Sequence, residues 1–422
     1  MKRVLMLSDS ASVQDLNNRS NLNLLIEMDC DIHVGCNFVS GNTTSPERVE
    51  SFVGELKEAD IVCLQINFAA GENLLVNQER ASDELEKLLK KFDYDLIHCL
   101  GLSVLKCIGP IAKQYHIPVI CTSYGLPIYK GVSFFRKAAL LLPKLKKITR
   151  YADVLICCNC EDYEFAKDNF STRCVFRIPG IGLDPYRFRA PTVSRIQMRD
   201  FMEIPQNAVT LITVGALTKK KNHAVILKAI ARLRMLEIHY VICGGGDNTD
   251  ALYRLTSKLN IEDRVHFTKH RDDIVNMLHA CDIFCMPSKD EGIGIAALEA
   301  MEAGLPLVTS NVHGINDFME NGVTGFCFKP NDVSGFVSGI EALTEDKKLR
   351  KHIGEHNRSA VEAFYRGNTE YVMKQIYKVQ LTDDNGKKKK HDKKKENDNG
   401  NSNVSKDKDK KESKKEKEIV TA

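Results

Sequence analysis

The 422-residue chain has no run near the roughly 20 apolar residues that a membrane-spanning helix needs. Its longest apolar stretch, 96–112, is broken by His98, Lys106 and Pro110. The N-terminus, MKRVLMLSDSAS, turns polar after five residues, too early for a secretory leader, and reads as a first buried strand. Metal-site spacing is also missing. Cys157-Cys158-Asn159-Cys160 holds a C-x-x-C, but no second cysteine or histidine pair follows at zinc-site distance, so no metal is expected. Most of the 14 cysteines lie inside apolar runs, such as those ending at Cys63, Cys99, Cys121 and Cys243, and read as small core hydrophobes in a reducing cytosol. A large field of one sign is absent from the body. The formal charge of +4 comes from Lys387–Ile419, where 14 lysines face 8 acidic residues. A nucleic-acid-binding body is therefore not expected.

What is present is alternation. Arg3–Ser8, Asp31–Cys36, Ile61–Ile66, Asp95–Leu100, Pro118–Thr122 and Asp153–Cys158 read as buried strands. Helical patterns lie between them, including Pro46–Glu58, Ser82–Phe92 and Ser103–Tyr115, and Ser45-Pro46 is a good helix start. After the break Ile178-Pro-Gly-Ile-Gly-Leu-Asp-Pro185 a second series follows: Val209–Gly215, His239–Cys243, Arg264–Thr268, Asp282–Met286, Pro306–Ser310 and Gly325–Phe328, with helices such as Asn222–Met235 and Ile295–Ala303. This pitch predicts an α/β chain of two Rossmann-like, doubly wound domains that face each other across a cleft, with ligands at the carboxyl ends of the strands. The expected division is 1–180, 181–367, a C-terminal helix at 368–382 packing back on the first domain, and a Lys-rich tail at 383–422. The tail composition cannot offset its ordering entropy, so disorder is expected there.

The most informative stretch is Ser288-Lys-Asp-Glu291-Gly292-Ile293-Gly294-Ile295-Ala-Ala-Leu-Glu299-Ala-Met301. A strand should end near Met286 and an Ala-rich helix begin near Ile295. Gly292 and Gly294 let the backbone approach a ligand, and a helix N-terminus offers free N–H groups and a positive dipole end: a diphosphate-binding arrangement. Glu291 stands in the loop, and Glu299 leans back toward the helix start, so both carboxylates can face one ligand. Glu299 lies among apolar neighbours and needs a partner, which two sugar hydroxyls would supply. A core lysine or arginine is the plainer alternative.

The run Glu291-Gly-Ile-Gly-Ile-Ala-Ala-Leu-Glu299-Ala-Met, followed by Ala303-Gly-Leu-Pro-Leu-Val-Thr-Ser, resembles the signature of family-four retaining glycosyltransferases of the GT-B fold. Val214-Gly-Ala-Leu-Thr-Lys-Lys-Lys-Asn-His223, Ile178–Asp184, Ser310–Asp317 and Glu320–Gly325 are similar to the branch that builds bacterial capsular and extracellular polysaccharides. The resemblance covers about residues 1–380. It implies a nucleotide-sugar donor, most often a UDP-sugar, held by the second domain as a co-substrate, with no cofactor. Glu299 matches the glutamate that bonds the ribose, and Glu291 the one at the donor sugar. The backbone of Gly292, Ile293, Gly294 and Ile295 would hold the diphosphate. Lys221 matches a phosphate-neutralising lysine, Gly215 the glycine of its loop, and Arg271 a position near the base. Charge builds on a leaving diphosphate, so a lysine there is also physically sensible. The implied reaction retains anomeric configuration without a metal, with a glycan or lipid-linked acceptor.

Three departures bear on activity. Tyr124, in Thr122-Ser-Tyr-Gly-Leu-Pro127, stands where the family usually has histidine. Ala216 replaces a common basic residue, and the loop 8–18 lacks glycine. A catalytically weakened nucleotide-sugar-binding partner subunit is therefore the alternative to an active transferase, with a GT-B epimerase disfavoured by the two-glutamate motif. Gly131–Arg150 carries six basic and no acidic residues among apolar ones, which suits peripheral contact with an anionic membrane from the cytoplasm as well as an ordinary amphipathic helix.

Overall fold

The computed structural model describes residues 1–69, 79–128, 134–234 and 236–382. The expected disordered tail, 383–422, the start of the basic segment, 131–133, and Met235 at the end of an expected helix lie outside the described residues.

Thirteen strands form two sheets among the described residues. The first holds β1 (Lys2–Ser10), β2 (Cys30–Asn37), β3 (Val62–Gln65), β4 (Leu96–Leu100), β5 (Val119–Ser123), β6 (Val154–Cys157) and β7 (Cys174–Arg177), in the order β3-β2-β1-β4-β5-β6-β7. The pairs β1–β2, β1–β4, β2–β3 and β6–β7 are parallel. The second holds β8 (Val209–Val214), β9 (Ile238–Cys243), β10 (Val265–Lys269), β11 (Ile283–Met286), β12 (Leu307–Ser310) and β13 (Gly325–Phe328), in the order β10-β9-β8-β11-β12-β13, parallel throughout. Each sheet thus runs outward from its first strand in one direction and then in the other. In the second sheet the reversal falls between β8 and β11.

The central strands of the second sheet are apolar on consecutive positions because both faces are covered. Leu211, Tyr240 and Ile283 pack with Ile226, Ile230, Phe336 and Ile340 on one face. Their chain neighbours Ile212, Val241 and Phe284 pack with Met277, Leu298 and Met301 on the other. Val214 and Met286 therefore deliver the chain to the same end of the sheet, where the loops after β8 and β11 begin.

Element by element, the expected strands lie within one or two residues of those observed. The helix Pro46–Glu58 has the expected bounds, and Ser45 Oγ accepts from the Arg48 N–H at 3.3 Å. Asn222–Met235 is shorter than its pattern: the helix is Ala224–Arg232, because Asn222 is left-handed (φ 60) and belongs to the loop. The strand β7 and the helices Ala11–Asn17 and Arg19–Glu27 had no expected counterpart.

By packing, the chain divides into two compact units. One comprises Met1–Ile120, Tyr151–Asp153 and the chain from Glu370 onward; the other comprises Cys121–Arg150 and Val154–Thr369. Within the first, the last helix (Arg366–Thr382) contributes Tyr377, whose hydroxyl meets Nδ1 of the fully buried His98 at 2.7 Å. Lys374 on the same helix pairs with Glu27 at 3.2 Å. No helix among the described residues is long and apolar enough to cross a membrane.

Candidate active site

Two loops leave the second sheet at its reversal point. After β8, Gly215 takes φ 148 and its N–H bonds the Cys243 carbonyl at 3.0 Å, which turns the chain away from the sheet. The loop then carries Lys219, Lys220 and Lys221. Asn222, in its left-handed conformation, donates its amide to the carbonyls of Pro287 (3.0 Å) and Pro330 (2.7 Å). The Lys289 N–H bonds the Lys220 carbonyl at 2.8 Å, so the β8 and β11 loops are stitched together through backbone. His223, buried and with its pKa pushed down to about 4 by desolvation, is neutral and bonds the Ala216 carbonyl at 3.3 Å.

Across that seam Lys221 Nζ meets Glu291 Oε2 at 2.5 Å, and Ser288 Oγ donates to the same oxygen at 3.1 Å. Both charged side chains are partly buried, 26% and 15% exposed, so the pair is shielded without being sealed off from a ligand. The next turn is tightly built. A Cβ on Gly292 would run into the Tyr124 carbonyl oxygen, and one on Gly314 into the Gly292 carbonyl oxygen. Gly294 adopts φ 72 as the residue before the helix Ile295–Glu302. No side chain caps that helix and its first turn has no acidic residue, so its leading N–H groups and positive dipole end are available to an anion.

Glu299 lies one turn into this helix. Burial raises its pKa from 4.5 to about 7, with the positive charge of Arg187 acting weakly in the other direction. Among the described residues its carboxyl has no hydrogen bond and no ion pair. Arg271, at the exit of β10, forms a two-pronged pair with Asp273 (2.8 and 2.6 Å) and lies 4.9 Å from the Phe201 ring centre, so its guanidinium is held locally. Tyr124 follows directly after β5, partly buried, with its backbone against Gly292.

The structure therefore brings Lys221, Glu291, Gly292 and the helix start together. It also adds residues that the sequence reading had passed over. His313, 1% exposed and left-handed (φ 46), places Nε2 2.8 Å from Asp162 Oδ1 and Nδ1 3.0 Å from Asp290 Oδ1. Lys220, its side chain 59% exposed, pairs with the other Asp290 oxygen at 2.9 Å. Asn159 donates to the Gly292 carbonyl at 2.9 Å and to Asp162 Oδ2 at 2.8 Å. One sequence signal was available for His313: a histidine followed by glycine just after a strand suits a left-handed corner. Nothing in the sequence joined it to Asp162.

Residues 194–360 match the family of glycosyl transferases group 1. This segment belongs to that family. The group 1 domain thus holds both stitched loops and the helix Ile295–Glu302. An Escherichia coli protein named UDP-Gal:alpha-D-GlcNAc-diphosphoundecaprenol alpha-1,3-galactosyltransferase is 29% identical over 284 residues, which is 65% of this chain and 73% of its own. The putative glycosyltransferase EpsD of Bacillus subtilis is 25% identical over 369 residues, 86% of this chain and 92% of its own. Among solved structures, Anabaena HepE in complex with UDP and glucose superposes with a TM-score of 0.72 at 18% identity, covering 90% of this chain and 99% of that one. WaaG, a glycosyltransferase involved in lipopolysaccharide biosynthesis, superposes at 0.67 and 17% identity, covering 88% and 99%. The fold around the group 1 domain is GT-B, with two parallel α/β domains.

Proposed function

We propose that this chain moves a sugar, with retention of anomeric configuration, from a UDP-sugar to a lipid-linked or oligosaccharide acceptor in surface polysaccharide assembly. The observation that carries the reading is the Lys221–Glu291 pair at the sheet's reversal point, next to an uncapped helix start. The diphosphate would lie on the N–H groups of Gly292–Ile295. Lys221 would take up the charge that grows on it as the bond from the anomeric carbon to the phosphate oxygen breaks. With Lys221 and the helix dipole supplying positive charge, the reading needs no metal and no cofactor. Glu299, without a partner among the described residues, would bond the ribose, and Glu291 the sugar. Gly215 would give the β8 loop its approach to the phosphates, and Arg271 would lie near the base. The acceptor oxygen would attack on the face from which the diphosphate leaves, and its proton would pass to the departing phosphate oxygen. The UDP-galactose and diphosphoundecaprenol in the name of the E. coli relative support the donor and acceptor classes.

Nucleotide-sugars should be screened by thermal shift, since a ligand at 100 times its Kd adds about 2.7 kcal/mol. Glu299→Ala and Lys221→Ala should each weaken UDP binding by about 1.5–3 kcal/mol in calorimetry, the cost of a charge-assisted hydrogen bond. Unchanged affinity in both would place the donor elsewhere. Tyr124 favours a second reading, a binding subunit without turnover, because a phenol cannot supply a cation at neutral pH. Transfer by the wild-type protein supports the enzyme. Activity that appears only in Tyr124→His supports the subunit.

Peripheral membrane contact is part of the proposal. The helix Phe134–Thr149 exposes Leu140, Lys144, Lys146 and Lys147, with Arg150 just beyond it, while Leu145 and Ile148 are buried. Basic residues near an anionic surface contribute about 1 kcal/mol each. Reversing the three lysines should abolish co-sedimentation with anionic vesicles at low salt, and a wild-type protein that ignores such vesicles would end this part of the reading.

A further inference from the structure

His313 is a buried ionisable side chain outside the roles assigned above, with both ends of its ring engaged. Both of its ring nitrogens face carboxylate oxygens, at 2.8 Å (Asp162) and 3.0 Å (Asp290). A carboxylate only accepts, so both nitrogens have to donate, and a neutral imidazole has a single N–H. The second oxygen of each acid is also an acceptor. Asp162 Oδ2 accepts from the Leu126 N–H (2.9 Å) and from Asn159 (2.8 Å), and Asp290 Oδ2 accepts from Lys220 (2.9 Å). The ring is therefore an imidazolium locked between two anions.

Its position is as informative as its charge. Asp162 and Asn159 belong to the start of the helix Cys160–Asn169, Asp290 precedes Glu291, and His313 precedes Gly314. The Gly314 N–H bonds the Glu291 carbonyl at 3.0 Å, and the Asn159 amide holds the Gly292 carbonyl at 2.9 Å. The carbonyls of Glu291 and Gly292 are thus both fixed, the first by the residue that follows His313 and the second by a side chain bonded to His313's partner Asp162. We propose that His313 is a positioning residue, an imidazolium clamp that sets the Glu291–Gly292 turn in the geometry that receives the donor's sugar diphosphate. The donor assignment is that of the preceding section; the clamp itself stands on the hydrogen bonds. Burial works against the charged ring, but Asp162 and Asp290 raise its pKa to about 10, so it remains charged through neutral pH. Charges near it are Lys220 on the β8 loop, Asp317 four residues further along the same short helical turn, and Arg177 at the end of β7, which pairs with Asp317 at 3.8 Å.

The test uses the full chain and UDP as the probe. Asparagine tolerates a left-handed backbone, so His313→Asn keeps the corner but can supply a donor to only one of the two carboxylates. It should weaken UDP binding by about tenfold or more. His313→Arg, with two donors and a fixed charge, should recover part of the loss. Asp290→Asn removes one anion and lets the ring lose its proton within reach of neutrality. UDP affinity in that variant should fall as pH rises from 8 to 9, above the range in which Glu299 titrates, where the wild type stays flat. A residue that serves only stability would shift melting without changing that pH profile. The clamp is overturned if His313→Asn folds and binds UDP as tightly as the wild type, or if Asp290→Asn is as flat with pH as the wild type. If the wild type does not bind UDP, the donor reading fails. The clamp is then decided by ring nitrogen NMR at pH 8, where two protonated-type shifts support it and a neutral tautomer refutes it.

Discussion

A carboxyl with no hydrogen bond or ion pair among the described residues makes Glu299 the most exacting single residue in the site. Its pKa of about 7 means that the folded chain holds a proton the unfolded chain would release. The sign follows directly: between about pH 4.5 and 7 the stability of the ligand-free protein falls as pH rises. Glu299→Gln should flatten that limb of a plot of Tm against pH. Ribose hydroxyls donate best to an ionised carboxylate, so UDP binding near pH 6.5 should expel a proton. Binding heats that differ between two buffers of unlike ionisation enthalpy would reveal it; equal heats would show that Glu299 does not change its charge on binding. Glu299 was legible in the sequence because it sits eight residues from Glu291 on a helix whose period is known. His313 and Asp162 were not, because 151 residues separate them and no local spacing links a strand-end histidine to a helix-start aspartate.

The same contrast governs whole elements. Strands β8, β9, β11 and β12 were readable because burial on both faces makes them largely apolar runs. The strand β7, four residues and only half-buried, carries no such signature. The helix Ala11–Asn17 buries Ser12, Gln14 and Asp15, so its inward face is largely polar and a hydrophobic period misses it. The glycine turn was readable as a ligand loop but not as a packed one. Gly314 is the sharper case, since nothing in its own segment shows that the Gly292 carbonyl lies against it. Gly314→Ala should therefore push the Glu291–Gly292 turn aside, costing roughly 1–3 kcal/mol of stability as overpacking does and weakening UDP binding together with it. An alanine variant with wild-type Tm and wild-type affinity would show that the turn can yield without harm.

At the scale of the molecule, the two sheets follow the sequence in order but the compact units do not. Burial drives the pKa of His98 down to about 3, so it is neutral, and its bond to Tyr377 satisfies a ring nitrogen that has no access to water. Tyr377→Phe should cost about 1–3 kcal/mol in urea denaturation, the penalty for a buried polar atom left alone. Because the folded pKa is depressed below 6.5, the stability this histidine contributes is complete above pH 6.5 and drains away as pH falls toward 3. The bond spans 279 residues of chain. During synthesis, His98 is therefore committed to its strand long before its partner has been made, and the first unit cannot close until the last helix leaves the ribosome. A gene fragment cut at the end of the first sheet would encode strands without their final cover, so dissection of this protein has to proceed by substitution and not by subcloning.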